Sequence, residues 1–254
     1  MNPFRVDGKL AMITGATRGI GLGAAEALAK SGAGIILVGR DEAELERSAE
    51  ALREHTETVH VLPFDLMQTD AIRPWLDEAF AKLGTPDILV NSAGMQRRGR
   101  AVDLSLQEFN DVMTLNTTAI FEVSRTFARH RMAMGGGGKV INIASLMTSA
   151  ARPGTSPYTA SKGAVGQLTK VLAIEWAESG IFVNAIAPGY IDTDMNKKLI
   201  ADPTFDSWVK SRCPLGRWGT AMDVAWPIVF LSSPASDFMT GQVVYVDGGW
   251  LATF

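Results

Sequence analysis

Three residues between positions 145 and 162 have the types and the spacing needed to move a proton on or off an oxygen atom. Ser145 ends the apolar run Val140–Ala144, and Tyr158 and Lys162 lie four residues apart in a segment with a helical pattern. Residues four apart share one face of a helix, so the Lys162 ammonium is expected beside the Tyr158 phenol. We expect this charge to lower the pKa of Tyr158 from its usual value of about 10. Ser145 would then hydrogen-bond a substrate oxygen. An ordinary amphipathic helix is the alternative, so the rest of the chain must decide.

A glycine-rich turn lies between the first apolar run and the first helical pattern. Residues 14–21 read TGATRGIG, a Gly-x-x-x-Gly-x-Gly spacing that differs from the commoner Gly-x-Gly-x-x-Gly fingerprint. Glycines here let the chain turn sharply and bring backbone N–H groups and a helix N-terminus up to a pyrophosphate. The predicted cofactor-binding residues of the turn are Gly15, Thr17, Arg18, Gly19, Ile20 and Gly21.

The end of the second apolar run bears on which cofactor is used. Enzymes that use NAD usually place an acidic side chain there to hold the adenosine ribose. This chain has Gly39 at that point, followed by Arg40, and Arg18 would point to the same region from the glycine turn. Two guanidiniums favour a 2′-phosphate, so the sequence predicts NADP(H) over NAD(H). The alternative is two solvated surface charges, and Asp41 is close enough to pair with Arg40.

Small or polar residues at the ends of further predicted strands fit the same crevice. Asp65 could bond the adenine amine, and the loop at 188–193 could grip a carboxamide. With Tyr158 and Lys162, these residues complete the predicted cofactor set: Asp65, Leu66, Asn91, Ala93, Gly94, Pro188, Gly189, Ile191 and Thr193.

Short apolar runs alternate with helical patterns along the whole chain. Runs that are apolar on both faces, separated by helices, are typical of a parallel sheet covered on two sides. Right-handed crossovers then give a doubly wound, Rossmann-type α/β fold. No linker or repeat marks a boundary, so we predict one domain over residues 1–254. Residues 193–220 interrupt this alternation of strands and helices and contain no clear strand, and we predict an irregular substrate-binding flap there. The predicted strands are Leu10–Ile13, Ile35–Val38, Val59–Leu62, Ile88–Val90, Val140–Ile143, Phe182–Ile186 and Val243–Val246, and the helical patterns cover 20–31, 42–54, 70–82, 105–133, 158–178 and 222–232.

Composition excludes several classes of function. The chain has 254 residues, of which 46% are hydrophobic and 20% charged, with a net charge of −3, which argues against a nucleic-acid or anionic-membrane partner. The single cysteine, Cys213, rules out an internal disulfide and a cysteine-based zinc site, and the three histidines are scattered, so no metal is predicted. We see no signal peptide and no membrane-spanning run, and expect a cytoplasmic protein.

The chain resembles the short-chain dehydrogenase/reductase family over almost its full length. The resemblance implies that Tyr158 is the acid–base residue, that Ser145 orients the substrate oxygen, and that Lys162 binds the nicotinamide ribose and lowers the pKa of Tyr158. It also implies that Asn116 holds a water in a proton relay, and that the chain forms a homotetramer with residues 246–254 near a subunit interface. Ser92 departs from the family, which usually has asparagine there. The matching segments are Thr14–Gly21, Asn91–Gly94, Asn116, Ser145, Tyr158–Lys162, Pro188–Thr193 and Val246–Gly249.

A narrower resemblance points to family members that act on sugar acids. It rests on residues 91–98, 109–112, 205–208 and 216–219, which are similar to gluconate 5-dehydrogenases and in part to 2-dehydro-3-deoxy-D-gluconate 5-dehydrogenases. Such resemblance implies interconversion of D-gluconate and 5-keto-D-gluconate, a deoxy-keto sugar acid or another 3-oxoacyl or carbonyl substrate being the alternatives within the family. A catalytically silent NADP-binding regulator is the alternative outside enzymes. The substrate candidates are the cations Arg97, Arg98 and Arg152, with Tyr190 and Trp218 as stacking residues or as core.

Overall fold

Seven parallel strands form one sheet in the computed structural model, which describes residues 2–253. The sheet has the order β3-β2-β1-β4-β5-β6-β7, so the chain reverses direction across the sheet between β1 and β4. In doubly wound sheets, ligands bind at the carboxyl ends of the strands beside such a reversal. The strands are β1 Leu10–Thr14, β2 Gly34–Gly39, β3 Val59–Pro63, β4 Ile88–Asn91, β5 Gly138–Ile143, β6 Ile181–Pro188 and β7 Val243–Val246.

Alternate residues of the central strands pack into two different cores, which explains why the strands are apolar on both faces. Ile13 of β1 and Leu37 of β2 lie in a core shared with the helices Gly19–Lys30 and Ala221–Ser232. Met12 and Ile36, their chain neighbours, lie in the opposite core with three other helices, Thr69–Leu83, Ala119–Ala133 and Ser156–Trp176. The predicted doubly wound α/β fold is therefore confirmed. The helices are α1 Gly19–Lys30, α2 Glu42–Leu52, α3 Thr69–Leu83, α4 Leu106–Met113, α5 Ala119–Ala133, α6 Ser156–Trp176, α7 Lys197–Ile200, α8 Pro203–Arg212 and α9 Ala221–Ser232.

The helical pattern predicted over 105–133 is interrupted in its middle. A π-helical turn, Thr114–Thr118, separates α4 from α5. Such turns insert an extra residue and redirect the side chains around it, and they occur often at functional sites. Here the turn carries Asn116, which is fully buried.

The segment at 193–220 is more regular than its sequence indicates. It contains α7 and α8, and a single parallel bridge joins Ile191 to Gly219. The expectation of an irregular segment is wrong because Asp202 caps α8, its carboxylate accepting from the Thr204 and Phe205 N–H groups. The proline after a capping aspartate is favourable at the first turn of a helix. The substrate-binding role of this segment stays a prediction.

The C-terminal residues pack only in part against the rest of the chain. Trp250 is buried in the same cluster as Leu146 and Val209, whereas Leu251 is 37% exposed. Phe254, which belongs to the predicted subunit contact, lies outside the described residues, and the homotetramer stays a prediction. Within residues 2–253, no helix combines the length and the apolar character that crossing a membrane requires.

Candidate active site

Ser145 and Tyr158 line one open cleft of about 480 Å³ at the carboxyl end of β5. Ser145 begins a short 3-10 helix, and its Oγ accepts a hydrogen bond of 3.2 Å from the Met147 N–H. Pro157 in the first turn of α6 places Tyr158 one turn before Lys162. The two predicted catalytic oxygens therefore face the same cavity. The other lining residues are Gln96, Arg98, Leu146, Met147, Arg152, Thr155, Gly189, Tyr190, Met195 and Asn196.

Lys162 is buried beneath this cleft. Its Nζ donates a 2.5 Å hydrogen bond to the Ile143 carbonyl and lies 5.6 Å from the centroid of the Tyr158 ring. Burial disfavours the ammonium and lowers the pKa of Lys162 to about 8. The predicted Tyr–Lys pair is thus brought together, with Lys162 anchored on the last residue of β5.

The pKa of Tyr158 is shifted in the direction opposite to the one expected from Lys162. Burial raises the pKa of the phenol, and the Ser145 hydrogen bond and the charge of Arg98 oppose that shift without overcoming it. The expected lowering is wrong for the chain by itself, because the pattern shows the spacing of the charge and not the loss of hydration around the phenol. The phenol therefore carries its proton at neutral pH.

Asn116 ties the loop after β4 to helix α6. Its Oδ1 accepts from the Met95 N–H at 2.8 Å, and its Nδ2 donates to the Met95 carbonyl at 2.9 Å and to Ser161 Oγ at 3.1 Å. Ser161 Oγ donates in turn to the Tyr158 carbonyl at 2.8 Å. The side-chain amide is therefore engaged within the protein. The role of Asn116 in a water relay stays a prediction.

The glycine turn lies against the loop that follows β4, with no room for side chains. Gly15 has φ +67°, and a Cβ there would lie 2.7 Å from the Ala93 Cα. Thr14 Oγ1 accepts from the Ser92 and Ala93 N–H groups at 3.1 and 3.2 Å, which holds the two loops together. A Cβ on Gly21 would overlap the Gly15 carbonyl. A close, bare backbone at a helix N-terminus fits a dinucleotide pyrophosphate.

The loop after β6 lies beside the glycine turn. A Cβ on Gly19, which has φ +57°, would lie 3.4 Å from the Thr193 side chain, and one on Gly189 would lie 2.8 Å from the Asp247 Cα. Pro188 ends β6 in register with Val246 of β7. Thr193 thus lies beside the glycine turn, whereas Ile191 is buried in the core shared with α1 and α9. Their contacts with a cofactor stay predictions.

The residues predicted to hold the adenosine end lie on two sides of the glycine turn. A Cβ on Gly39 would lie 3.1 Å from the Thr17 side chain, so β2 ends next to the glycine turn. Asp41 caps α2, since its Oδ1 accepts from the Glu44 N–H at 3.0 Å. Arg18 is exposed, and its Nε lies 3.6 Å from the Asp194 carboxylate, so its side chain lies towards the segment after β6, whereas the sequence predicts it beside Arg40. Its role in holding a 2′-phosphate stays a prediction.

Asp65 and Leu66 follow β3 as predicted. The Asp65 carboxylate accepts from the Met67 N–H at 3.1 Å, so this side chain shapes its own turn. Leu66 is 6% exposed and packs in the core with α3. The main chain of this turn and the Asp65 carboxylate are therefore the groups that could contact an adenine.

The predictions from the sequence do not include a chain of buried polar side chains that lies beneath the site. Asn91 Nδ2 donates to Ser124 Oγ and to Asn142 Oδ1, both at 2.9 Å, and Asn142 Nδ2 donates to Thr169 Oγ1 at 3.0 Å. Asn91 and Asn142 are register partners on β4 and β5. Asparagines inside otherwise apolar strands were the available signal, because a buried amide must find partners. Asn91 Nδ2 makes both of these bonds within the protein, so this residue supports the loop after β4.

The structure separates the predicted substrate residues into two groups. Arg98, Arg152 and Tyr190 line the cleft with Tyr158. Arg97 is exposed and its charge acts on Glu108 of α4. Trp218 is buried, and its Nε1 donates to the Asp206 carboxylate at 2.8 Å. Core packing, the alternative for Trp218, accounts for that residue, while Tyr190 forms part of the cleft wall.

Comparisons with known proteins agree with this geometry. The family model described as Enoyl-(Acyl carrier protein) reductase matches residues 15–251. Gluconate 5-dehydrogenase of Gluconobacter oxydans is 42% identical over 97% of this chain and 96% of its own length. The 2-dehydro-3-deoxy-D-gluconate 5-dehydrogenase of Escherichia coli is 42% identical over 99% of both chains. A crystal structure of a gluconate 5-dehydrogenase from Burkholderia cenocepacia, in complex with NADP and tartrate, has a TM-score of 0.96 at 40% identity and covers 100% of this chain and 99% of that one.

Proposed function

The chain belongs to the short-chain dehydrogenase/reductase family, and we propose that it interconverts D-gluconate and 5-keto-D-gluconate with NADP(H). It is an oxidoreductase of a family that binds a nicotinamide cofactor. One observation carries the proposal: the cleft that holds Ser145 and Tyr158 also holds two arginines, Arg98 and Arg152. A proton-transfer pair and two cations in one small cavity suit an alcohol or ketone that also bears a carboxylate.

The reaction requires the chain to move one proton at the substrate oxygen. A nicotinamide cofactor held by the glycine turn and the loops after β4 and β6 would supply the hydride chemistry at the alcohol or ketone carbon. Tyr158 donates its proton to the oxygen in reduction and takes it back in oxidation, so that charge does not accumulate there. The raised pKa of Tyr158 keeps the phenol protonated, as reduction requires. Oxidation requires the phenolate, which the Ser145 hydrogen bond and the charge of Arg98 favour. Ser145 holds the same oxygen, and Lys162 supplies positive charge below the phenol and holds the nicotinamide ribose.

A steady-state screen with both cofactors tests the substrate. We expect NADPH to be oxidised with 5-keto-D-gluconate, and NADP to be reduced with D-gluconate at the same site. No turnover with either acid, together with activity on an acyl-carrier-bound 3-oxo group, would contradict the proposal.

A second candidate is a 2-dehydro-3-deoxy-D-gluconate 5-dehydrogenase activity. The match to the Escherichia coli enzyme of that name equals the match to gluconate 5-dehydrogenase in identity and is slightly longer. Both substrates are sugar acids oxidised at carbon 5, so the cleft suits either. A higher kcat/KM for the deoxy acid in the same screen would favour this candidate.

Preference for NADP(H) is proposed to depend on Arg18 and Arg40. Gly39 leaves the end of β2 without the carboxylate that would repel a 2′-phosphate, and the exposed Arg40 directly follows it. Arg18 would reach the phosphate by turning away from the Asp194 carboxylate, which lies 3.6 Å from its Nε. The double variant Arg18→Ser with Arg40→Asp should weaken NADPH binding by roughly 10- to 100-fold, since charge-assisted bonds to a phosphate are lost. NADH binding should stay the same or improve, as measured by titrating each cofactor against protein fluorescence.

The matched control for this double variant is Arg47→Ser. Arg47 is exposed on α2 and pairs with Glu44, so it shares the neighbourhood but not the predicted pocket. It should leave both affinities unchanged. An unchanged ratio of NADPH to NADH affinity in the double variant would mean that other residues hold the 2′-phosphate.

A further inference from the structure

Arg98 and Arg152 reach the cleft from two different loops, and neither has an acidic partner among residues 2–253. Arg98 Nη2 donates to the Gln96 amide oxygen at 3.0 Å, and Arg152 Nη1 donates to the Tyr190 hydroxyl at 3.2 Å. Among residues 2–253, neither guanidinium forms an ion pair with a carboxylate, and none of the residues that line the cleft is acidic. The cleft therefore carries two positive charges that the described part of the chain does not balance.

The two charges act on each other and on the phenol. Burial lowers the pKa of Arg98, and the charge of Arg152 lowers it further. The charge of Arg98 in turn favours the ionised form of Tyr158. Like charges held together in a partly dehydrated cleft are unfavourable by themselves and become favourable when an anion lies between them.

Arg152 is held in place by neutral groups only. The Tyr190 hydroxyl accepts from one side, the guanidinium lies 4.9 Å from the centroid of the Phe205 ring, and Thr155 Oγ1 donates to the Arg152 carbonyl at 2.7 Å. An aromatic face and a hydroxyl orient a guanidinium without neutralising its charge. Such an arrangement prepares the guanidinium for an anion that comes from outside the chain.

We propose that Arg152 is a specificity-determining residue that, with Arg98, selects substrates bearing a carboxylate over neutral polyols, and that Tyr190 is the positioning residue that aims it. The inference rests on the proposed function, because it assigns the acid group of the sugar acid to these two guanidiniums. Phe205 lies on α8, so the same contact joins the substrate cleft to the segment at 193–220.

The test compares D-gluconate with D-glucitol, which differs only in having a CH₂OH group in place of the carboxylate. Wild-type enzyme should prefer D-gluconate in kcat/KM. Arg152→Gln should raise KM for D-gluconate roughly 10- to 100-fold, as expected when a hydrogen bond to a charged group is lost. The kinetic parameters for D-glucitol and the NADPH dissociation constant should stay unchanged.

Two further variants separate orientation from charge, and a third serves as control. Arg152→Lys keeps the charge and should recover part of the KM. Tyr190→Phe keeps the ring and should raise KM for D-gluconate by about 3- to 10-fold, since one hydrogen bond that orients the guanidinium is lost. Arg100→Gln removes an exposed arginine of the loop that carries Arg98. Its Nε lies 3.9 Å from the Asp103 carboxylate, and the substitution should leave KM for D-gluconate unchanged.

The outcomes distinguish this inference from the proposed function. An equal loss with D-gluconate and D-glucitol in Arg152→Gln would assign Arg152 a structural role, and an unchanged KM would remove it from the substrate site. Weaker NADPH binding in that variant would mean that the anion is a cofactor phosphate. Each of these results overturns the inference while wild-type turnover of D-gluconate still supports the function. Absence of wild-type turnover with D-gluconate and 5-keto-D-gluconate contradicts the function itself, and calorimetric titration of D-gluconate into the NADP-loaded protein then tests whether Arg152→Gln abolishes anion binding.

Discussion

Replacing Tyr158 with phenylalanine should lower kcat by roughly 10²- to 10⁴-fold, which is the usual contribution of a positioned acid–base group. The substitution removes the phenolic proton of Tyr158, which faces the cleft with Ser145, and keeps the ring that packs over Lys162. NADPH affinity should stay near the wild-type value, because the cofactor crevice is built from the glycine turn and the loops after β4 and β6. Stopped-flow measurement of NADPH oxidation with 5-keto-D-gluconate, alongside a fluorescence titration of NADPH, separates the two quantities.

The control for this prediction is Tyr245→Phe. Tyr245 lies on β7, and its hydroxyl hydrogen-bonds Ser149 Oγ outside the cleft, so the same chemical change is made away from the proton-transfer site. Its kcat should remain near the wild-type value. A Tyr158→Phe enzyme that kept most of its turnover would show that another group moves the proton.

The sequence predicts the strands well because the central strands are apolar on both faces. Parallel strands covered by helices have no solvent-facing side, so a short apolar run marks the strand directly. The run at 243–246 matches β7, and the run at 182–186 lies inside β6 Ile181–Pro188. Strand β6 continues to Ala187 and Pro188 because these residues pair with β7. No change in hydrophobicity marks this end of the strand.

The features that the sequence did not predict depend on contacts between distant residues. The π-helical turn is stabilised by Asn116, whose amide reaches Met95 and Ser161, and no local pattern records those partners. The raised pKa of Tyr158 depends on burial by the surrounding loops. Arg97 and Arg98 are adjacent in the chain, yet only Arg98 lines the cleft, because the loop that carries them is shaped by its contacts with Asn116.

Replacing Gly15 with alanine should weaken NADPH binding by roughly 10- to 100-fold, since it displaces the backbone N–H groups offered to the pyrophosphate. Two effects add at this position. A left-handed residue with a Cβ costs about 1–2 kcal/mol, and the new methyl would lie 2.7 Å from the Ala93 Cα, a backbone atom that cannot rotate away. The glycine turn must therefore separate from the loop after β4, which also disturbs the hydrogen bonds of Thr14 to Ser92 and Ala93.

Gly8→Ala distinguishes these two effects. Gly8 has φ +70°, close to the φ +67° of Gly15, but a Cβ there has nothing within 4 Å. Both variants should lose free energy of unfolding through backbone strain, and Gly15→Ala should lose about 1–3 kcal/mol more through overpacking. Only Gly15→Ala should lose NADPH affinity, as measured by fluorescence titration. The titration is made at a temperature at which thermal unfolding curves show that both variants are folded. Equal NADPH affinity in the two variants would contradict this prediction. It would mean that the close approach of the glycine turn to the loop after β4 does not form the cofactor crevice.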